Sequence, residues 1–327
     1  MNIDEMVAVT DGVIDNFIPH TTHSDVEIYR AHAYDQNGVI PSTLFWQADG
    51  NYHWSKPQQD RPKPTVVLEE AYFINFFSGD HYGHFITETL SRCKDLLEDK
   101  INVPLIVFHA KHKTVDGTFG IWPHNSDSRW LKLPEDTINL CENNDICVSV
   151  KKLHIANPAF NLYQWIYKEH LDIVRIWRDK QPAWCRTHHS YEKVYLTKTQ
   201  SPQDNMTTEG EEILEAMLDD TWTVIAIEKY PFKEQIQILE NARVIAGTRG
   251  SAFHNLIFCE KFPDKIIYFC EQKVKSSDFA YALQDTLLGI KENVEWHVYL
   301  KEEVYENAGS MRCFINIPQA ADFLNNL

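Results

Sequence analysis

Two stretches of this chain carry residue types whose spacing suits anion binding and proton transfer. In the first, Arg243 to Phe258 (RVIAGTRGSAFHNLIF), an apolar run ends at Gly247, a tight turn carries Arg249 and Gly250, and the small residues Ser251 and Ala252 open a helix. Backbone N–H groups and the positive end of that helix then converge on one point, which suits an anion and above all a phosphate. Glycine at 247 and 250 permits positive φ and close backbone approach, and Arg249 can add a bidentate phosphate contact. Neither the dinucleotide fingerprint GxGxxG nor the P-loop pattern GxxxxGK[ST] is present, so an ordinary strand-to-helix turn competes with the phosphate site.

The second stretch, Gly79 to Arg92 (GDHYGHFITETLSR), places His84 and Glu88 four residues apart on a helix face, with His81 one turn earlier. An imidazole and a carboxylate so placed form a general-base pair for an attacking hydroxyl. Simpler roles compete: Asp80 as an N-cap, His84 as a hydrogen-bonded core residue, Glu88 as a solvated helix charge. The pattern HxxHxxxE also offers three metal ligands, but it is not the HExxH zinc helix and no cysteine cluster supports it, so no metal is expected. His188, His189 and His254 have no ligand spacing.

The surrounding pattern says what must position these residues. Residues 1–64 read as an irregular extension packed on a first domain, 65–180, and Arg178 to Ser190 reads as a linker rich in Pro, His and charge. The first domain has strands at Val66–Ile74, Val103–Phe108, Ile146–Val150 and Leu153–Ala156, and helices over Tyr82–Leu97 and Leu162–Trp177. A second domain, 191–300, alternates strands (Lys193–Thr197, Thr223–Ile227, Arg243–Ala246, Lys265–Phe269) with helices (Glu209–Leu218, Phe232–Asn241, Ala252–Phe258), the signature of a parallel sheet covered on both faces. Val294–Leu300 is a further strand, and 301–327 is a closing segment with a helix over Pro318–Leu327. Thr197 and Lys198 project from the C-terminal end of their strand toward the glycine turn, where Lys198 can neutralise a diphosphate or simply be solvated. Glu234, in the first turn of its helix, is a helix-dipole partner or a ribose ligand.

Composition sets the outer bounds. The 327 residues carry 31 Lys+Arg against 47 Asp+Glu, a formal charge of −16, which rules out a polyanion-coating protein, and no nucleic-acid partner is expected. A chain this long buries about 75% of its extended surface, enough for one large or two medium domains. Seven scattered cysteines without a CxxC pair argue against a disulfide framework and a zinc ribbon. No apolar stretch approaches the roughly 20 residues of a membrane span. The opening residues Met1 to Met6 have no secretory pattern, so the expected location is the cytoplasm, with peripheral association at the inner face of the membrane left open.

Taken together the two stretches resemble glycosyltransferase family 61, whose members carry YxH[FW]xx[ED]xLxR in an N-terminal helix and GxxG[AS][GA]xxNxxF in a C-terminal turn. Here these read Tyr82, His84, Phe85, Glu88, Leu90, Arg92 and Gly247, Gly250, Ser251, Ala252, Asn255, Phe258. The intervening Y[IL][ST]R and FxEQ match Tyr195, Leu196, Thr197, Lys198 and Phe232, Glu234, Gln235. Lys198 stands where Arg is usual, Arg249 where many members have His, and His254 where Thr is common; Ser251-Ala252 replaces Ala-Gly.

The resemblance implies a GT-B-like α/β architecture of two Rossmann-like domains with a cleft between them. It implies an inverting transfer without metal or other cofactor, from a nucleotide sugar to an oligosaccharide or lipid-linked glycan, in capsule, lipopolysaccharide or other surface-polysaccharide synthesis. Glu88 and His84 are then the catalytic pair, and His81 and Tyr82 acceptor contacts. Thr197, Lys198, Glu234, Gln235, Gly247, Arg249, Gly250, Ser251, Ala252 and Asn255 are donor contacts. Two other readings stay open here: a metal-dependent α/β hydrolase using His81, His84 and Glu88, and a non-catalytic nucleotide- or glycan-binding module.

Overall fold

The computed structural model describes residues 13–29, 32–40, 61–76, 83, 85–109, 133–134, 136–140, 146–161, 165–180, 190–200, 208–271, 276–305 and 309–327. The chain is mixed α/β and divides between Pro182 and Ala183 into two compact units.

In the N-terminal unit, strands β1 (Val13–Ile14), β2 (His20–Tyr29), β3 (His32–Asp35) and β4 (Gly38–Val39) precede β5 (Val66–Phe76), β6 (Leu105–His109), β7 (Ile138–Asn139) and β8 (Cys147–Ala156). The main sheet has the order β4-β3-β2-β8-β5-β6-β7. Its strands β5 to β8 are mutually parallel and lie in the spatial order fourth, first, second, third, the Rossmann arrangement with a topological switch between β5 and β8. Strands β2, β3 and β4 extend it antiparallel. The reading of residues 1–64 as irregular is therefore corrected for β2 to β4, which are sheet members. In β2 the buried positions Val26 and Ile28 alternate and join a core with Phe73, Ile106, Val148 and Val150.

Three further expectations change. The two strands expected over 146–156 are one, because β2 and β5 pair with β8 on both sides across Lys151 and Lys152. Those lysines reach Glu69 and Glu70 on β5, at 2.7 and 2.6 Å. The helix expected over 162–177 begins only at Glu169, and Trp165–Tyr167 is strand β10, paired with β1 and with β9 (Phe160–Asn161). The segment expected as one helix over 82–97 is a π turn at Phe85–Thr89, a 3₁₀ turn at Leu90–Arg92 and a short α-helix at Lys94–Leu97. Side chains compete there for main-chain carbonyls: Thr87 Oγ1 donates to Gly83 O, Ser91 Oγ to Glu88 O, and Cys93 Sγ to Thr89 O.

In the C-terminal unit the strands are β11 (Tyr191–Leu196), β12 (Thr208–Glu209), β13 (Trp222–Ile225), β14 (Ala242–Thr248), β15 (Lys265–Glu271), β16 (Val294–Tyr305) and β17 (Gly309–Phe314), in the order β12-β17-β16-β15-β14-β11-β13. Strands β11, β13, β14, β15 and β16 are parallel. In order of appearance they lie 2-1-3-4-5, the flavodoxin-like arrangement with its switch between β11 and β14. The closing segment is corrected, since β17 pairs antiparallel with β16 and parallel with β12, making 309–314 part of the sheet. Helix Phe232–Asn241 packs through Ile236, Ile238 and Leu239, and helix Ile317–Asn325, capped by Asn316, packs through Ala320, Ala321 and Leu324. Helix Ser276–Leu288 had no counterpart in the sequence reading, and the helix expected at 252–258 is 3₁₀, over Ser251–Phe258.

The five cysteines among the described residues, 93, 147, 259, 270 and 313, are buried thiols. No helix among those residues is long and apolar enough to cross a membrane.

One core group carries a pH signature. Asp285 is buried, accepts a hydrogen bond from Tyr268 Oη at 3.2 Å, and is pushed up by burial to about 8. Its folded-state affinity for a proton exceeds that of the unfolded chain, so it costs stability progressively as pH rises from about 4 toward 8 and not below that window. We expect Asp285→Asn to melt at increasingly higher temperature than the parent protein across this window, with the difference levelling off above it. Parallel melting-temperature profiles for the two proteins would contradict this.

Candidate functional site

The sheet order has its switch between β11 and β14, and in open α/β sheets the segments that follow the two strands at such a point part and leave a crevice at their carboxyl ends. Leu196 of β11 is in register with Gly247 of β14, and the two strands meet closely there. A Cβ on Gly247 would lie 2.8 Å from the Leu196 carbonyl oxygen. A Cβ on Gly250 would lie 2.8 Å from both Cε and Nζ of Lys198. Neither glycine uses the positive φ that its missing side chain permits: among the described glycines Gly38, Gly210 and Gly289 have positive φ, while Gly250 is extended at −177°. Both glycines serve close approach, one of backbone to backbone and the other of backbone to an ammonium group.

Lys198 uses the space that Gly250 leaves. Its Nζ donates to the carbonyl oxygen of Arg249 at 2.7 Å. Burial lowers its pKa most, and the charge of Arg312 next. Arg312, on β17, reaches the same oxygen through Nη1 at 3.2 Å. Close by, burial pushes the Glu211 carboxyl up while it accepts from Tyr195 Oη at 2.9 Å. The arrangement is a small cationic patch at a strand-end crevice beside the N-terminus of the segment Ser251–Phe258, whose first N–H groups have no intrahelical acceptor. Chemically it is fit to receive an anion.

Arg249 is placed differently from its sequence reading. Its side chain is 2% exposed and pairs with Glu271, itself 4% exposed, through Nε at 3.0 Å and Nη2 at 2.6 Å to the same oxygen. The guanidinium is thus committed inward, and the phosphate contact expected of it is not the contact it makes. Thr197 is likewise engaged locally: its hydroxyl donates to Glu215 and lies 2.9 Å from that of Thr199.

Gln235 and Asn255, 20 residues apart, meet. Asn255 Nδ2 donates to Gln235 Oε1 and Gln235 Nε2 to the Tyr230 carbonyl, each at 2.8 Å, clamping helix Phe232–Asn241 to the 251–258 segment. Glu234 sits in the first turn of that helix. His254 is a core residue, stacked on Tyr281 at 4.5 Å and bonded to Gln284.

In the N-terminal unit Glu88, which follows β5 in the chain, is buried on the π turn. His81, Tyr82 and His84 lie outside the described residues. Arg92 ties this stretch to the end of β8, its Nη1 donating to Ala156 O at 3.1 Å. Burial lowers Arg92 to about 10, and the charge of Glu88 opposes that shift. Just beyond, Asp95 accepts from Tyr72 Oη at 2.9 Å and pairs with His20 at 2.7 Å, holding helix Lys94–Leu97 to β5 and β2. Among the described residues no group of three His, Cys, Asp or Glu is suited to hold a metal.

Sequence reasoning missed Arg312, Glu271, Glu211 and Asp95, and gave Arg92 no role beyond its place in the motif. Glu271 and Arg92 were detectable as a strand-end carboxylate and a motif arginine, but Arg312 lies on a strand that the sequence pattern does not announce.

A family model described as Glycosyltransferase 61 matches residues 82–268, more than half of the chain. It spans Glu88, Lys198 and the 247–258 turn, and ends before Glu271 and Arg312. No curated protein matches the sequence.

The two close approaches predict unequal costs. Gly247→Ala drives a methyl against fixed backbone and is expected to lower stability by roughly 1–3 kcal/mol. Gly250→Ala meets the end of a flexible side chain and is expected to cost less, displacing Lys198 instead. Chemical denaturation of both variants measures this, and equal losses would remove the distinction.

Proposed function

The chain belongs to the glycosyltransferase 61 family, and from that premise we propose that it transfers a sugar, with inversion, from a nucleotide-sugar donor to a glycan acceptor. The observation that carries the donor half is the cationic crevice at the β11/β14 switch, where the Lys198 ammonium stands against Gly250. There the diphosphate takes Lys198 and the N–H groups of Ser251 and Ala252, while Gly247 and Gly250 let it approach the backbone. Glu234 is proposed as a ribose contact. Thr197, Gln235, Asn255 and Arg249 act by holding the crevice in shape.

The N-terminal unit supplies the base and the acceptor contacts, a division of labour that a GT-B-like architecture implies. Glu88, or His84 oriented by Glu88, takes the acceptor hydroxyl proton, and the acceptor oxygen forms its bond to the anomeric carbon. The bond from that carbon to the diphosphate oxygen breaks, and its electron pair leaves with the nucleoside diphosphate. Lys198 and the helix end stabilise the charge that develops on the leaving group, so the chemistry runs without a divalent ion. His81 and Tyr82 are proposed to contact the acceptor. The product is a cytoplasmically made surface polysaccharide such as capsule or lipopolysaccharide.

The test begins with thermal-shift screening of nucleotide sugars, followed by transfer assays with the stabilising donor. Glu88→Gln is expected to lower turnover by about 10²–10⁴-fold with donor affinity nearly unchanged, and undiminished turnover would remove Glu88 as the base. Activity is expected to survive EDTA. Its loss in chelator and recovery with a divalent ion would favour the metal-dependent hydrolase reading of His81, His84 and Glu88.

A further inference from the structure

We propose that Arg312, which lies beyond the family match, is the second cation that grips the donor diphosphate, in the role that the sequence reading gave to Arg249. The inference rests on the donor reading above and adds to it a residue that no motif contains. It starts from the Arg249 carbonyl oxygen, which accepts from Lys198 Nζ at 2.7 Å and from Arg312 Nη1 at 3.2 Å. Two cationic groups sharing one acceptor stand close enough for a single phosphate to bridge them. Like charges at such a separation repel, and an anion between them relieves the repulsion.

Strand pairing explains how Arg312 gets there. Strand β17 runs antiparallel to β16 with Arg312 opposite Glu302, two residues past Leu300, which is itself opposite Phe314 and paired with Glu271 at the end of β15. Arg312 therefore arrives at the carboxyl edge of the parallel strands, the edge that carries Lys198 and the glycine turn.

The two arginines around Glu271 differ in what they leave for a ligand. Arg249 directs Nε and Nη2 at Glu271 Oε2 and is 2% exposed. Arg312 forms an ion pair with Glu271 Oε1 through Nε at 3.0 Å, is 32% exposed, and its Nη2 has no partner among the described residues. Glu271 is thus pinned on one side by a buried guanidinium and on the other orients an accessible one. With Nη1 on the Arg249 carbonyl and Nε in an ion pair with Glu271, the planar guanidinium still offers Nη2 to a phosphate oxygen. Arg249 is a positioning residue in this arrangement, acting through Glu271 on Arg312.

Isothermal titration of the full chain with inorganic pyrophosphate, a panel of nucleoside diphosphates and the corresponding nucleosides tests the assignment. Arg312→Ala is expected to weaken pyrophosphate and the preferred nucleoside diphosphate by about 10–100-fold, in line with a lost charge-assisted hydrogen bond, while nucleoside binding stays unchanged. Arg312→Lys, which keeps the charge and the fold but loses the fork, is expected to weaken pyrophosphate several-fold, and it carries the test if the alanine variant does not fold. Pyrophosphate binding equal to the parent in either folded variant overturns the role of Arg312 and leaves the donor reading intact. Equal weakening of nucleoside and diphosphate also overturns it, by making Arg312 a structural clamp only. A parent protein that binds neither pyrophosphate nor any nucleoside diphosphate overturns the donor reading itself, and the assignment with it.

Discussion

The C-terminal unit is organised around one buried carboxylate. Glu271, 4% exposed at the end of β15, sits between Arg249 and Arg312, and a buried carboxylate deprived of its partners costs several kcal/mol. Satisfying Glu271 fixes three things together: the backbone turn after β14, through Arg249; the position of β17, through Arg312; and the direction of the Arg249 carbonyl, on which Lys198 lands. The pair is not a large source of net stability, because desolvation offsets most of its Coulomb energy. Its consequence is geometric, since a turn that could be loose has its side chain locked below and its carbonyl engaged above.

This local arrangement reconciles the proposed anionic donor with an acidic protein. At a formal charge of −16, long-range electrostatics do not favour a nucleoside diphosphate. Charges beyond about 8 Å are largely screened at physiological ionic strength, so the field inside a crevice is set by its own walls. Those walls hold Lys198, Arg249 and Arg312 against Glu271, with the nearby Glu211 carboxyl shifted toward its neutral form by burial. The depressed pKa of Lys198 is the mark of the same imbalance: burial and the charge of Arg312 press its proton off, and an incoming anion would restore it.

Much of the C-terminal fold was legible because its strands and helices alternate at lengths where hydrophobic period alone decides the type. Helix Phe232–Asn241 has the bounds the pattern predicts, and β11, β13, β14 and β15 lie within one or two residues of their expected limits. The misreadings in the sheets have one physical origin, which is that tertiary pairing overrode local pattern. Lys151 and Lys152 break an apolar run but not a strand that is paired on both edges, and Trp165–Tyr167 has helical spacing yet pairs as β10. Within the site, Lys198 and Gly250 were legible from position. The inward turn of Arg249 was not, because nothing local distinguishes an arginine facing a crevice from one facing a carboxylate on the next strand. Glu88 was legible as a helical carboxylate, but the π turn that carries it depends on Thr87, Ser91 and Cys93 competing for carbonyls.

The same geometry explains how the departures from the family pattern fit one another. Lys198 stands where the family usually has Arg, and an ammonium offers a point charge where a guanidinium would offer a fork. Arg249 stands where His is frequent, yet its guanidinium does not replace the missing fork, because Glu271 holds it. Holding Glu271 from below is what leaves that carboxylate's other oxygen to orient Arg312, and Arg312 brings a guanidinium back to the Arg249 carbonyl beside Lys198. Lysine at 198, arginine at 249 and the Glu271–Arg312 pair are therefore joined by one set of contacts. An arginine at 198 would have to share the space against Gly250, already filled by Lys198 Cε and Nζ, with the Arg312 guanidinium approaching the same oxygen.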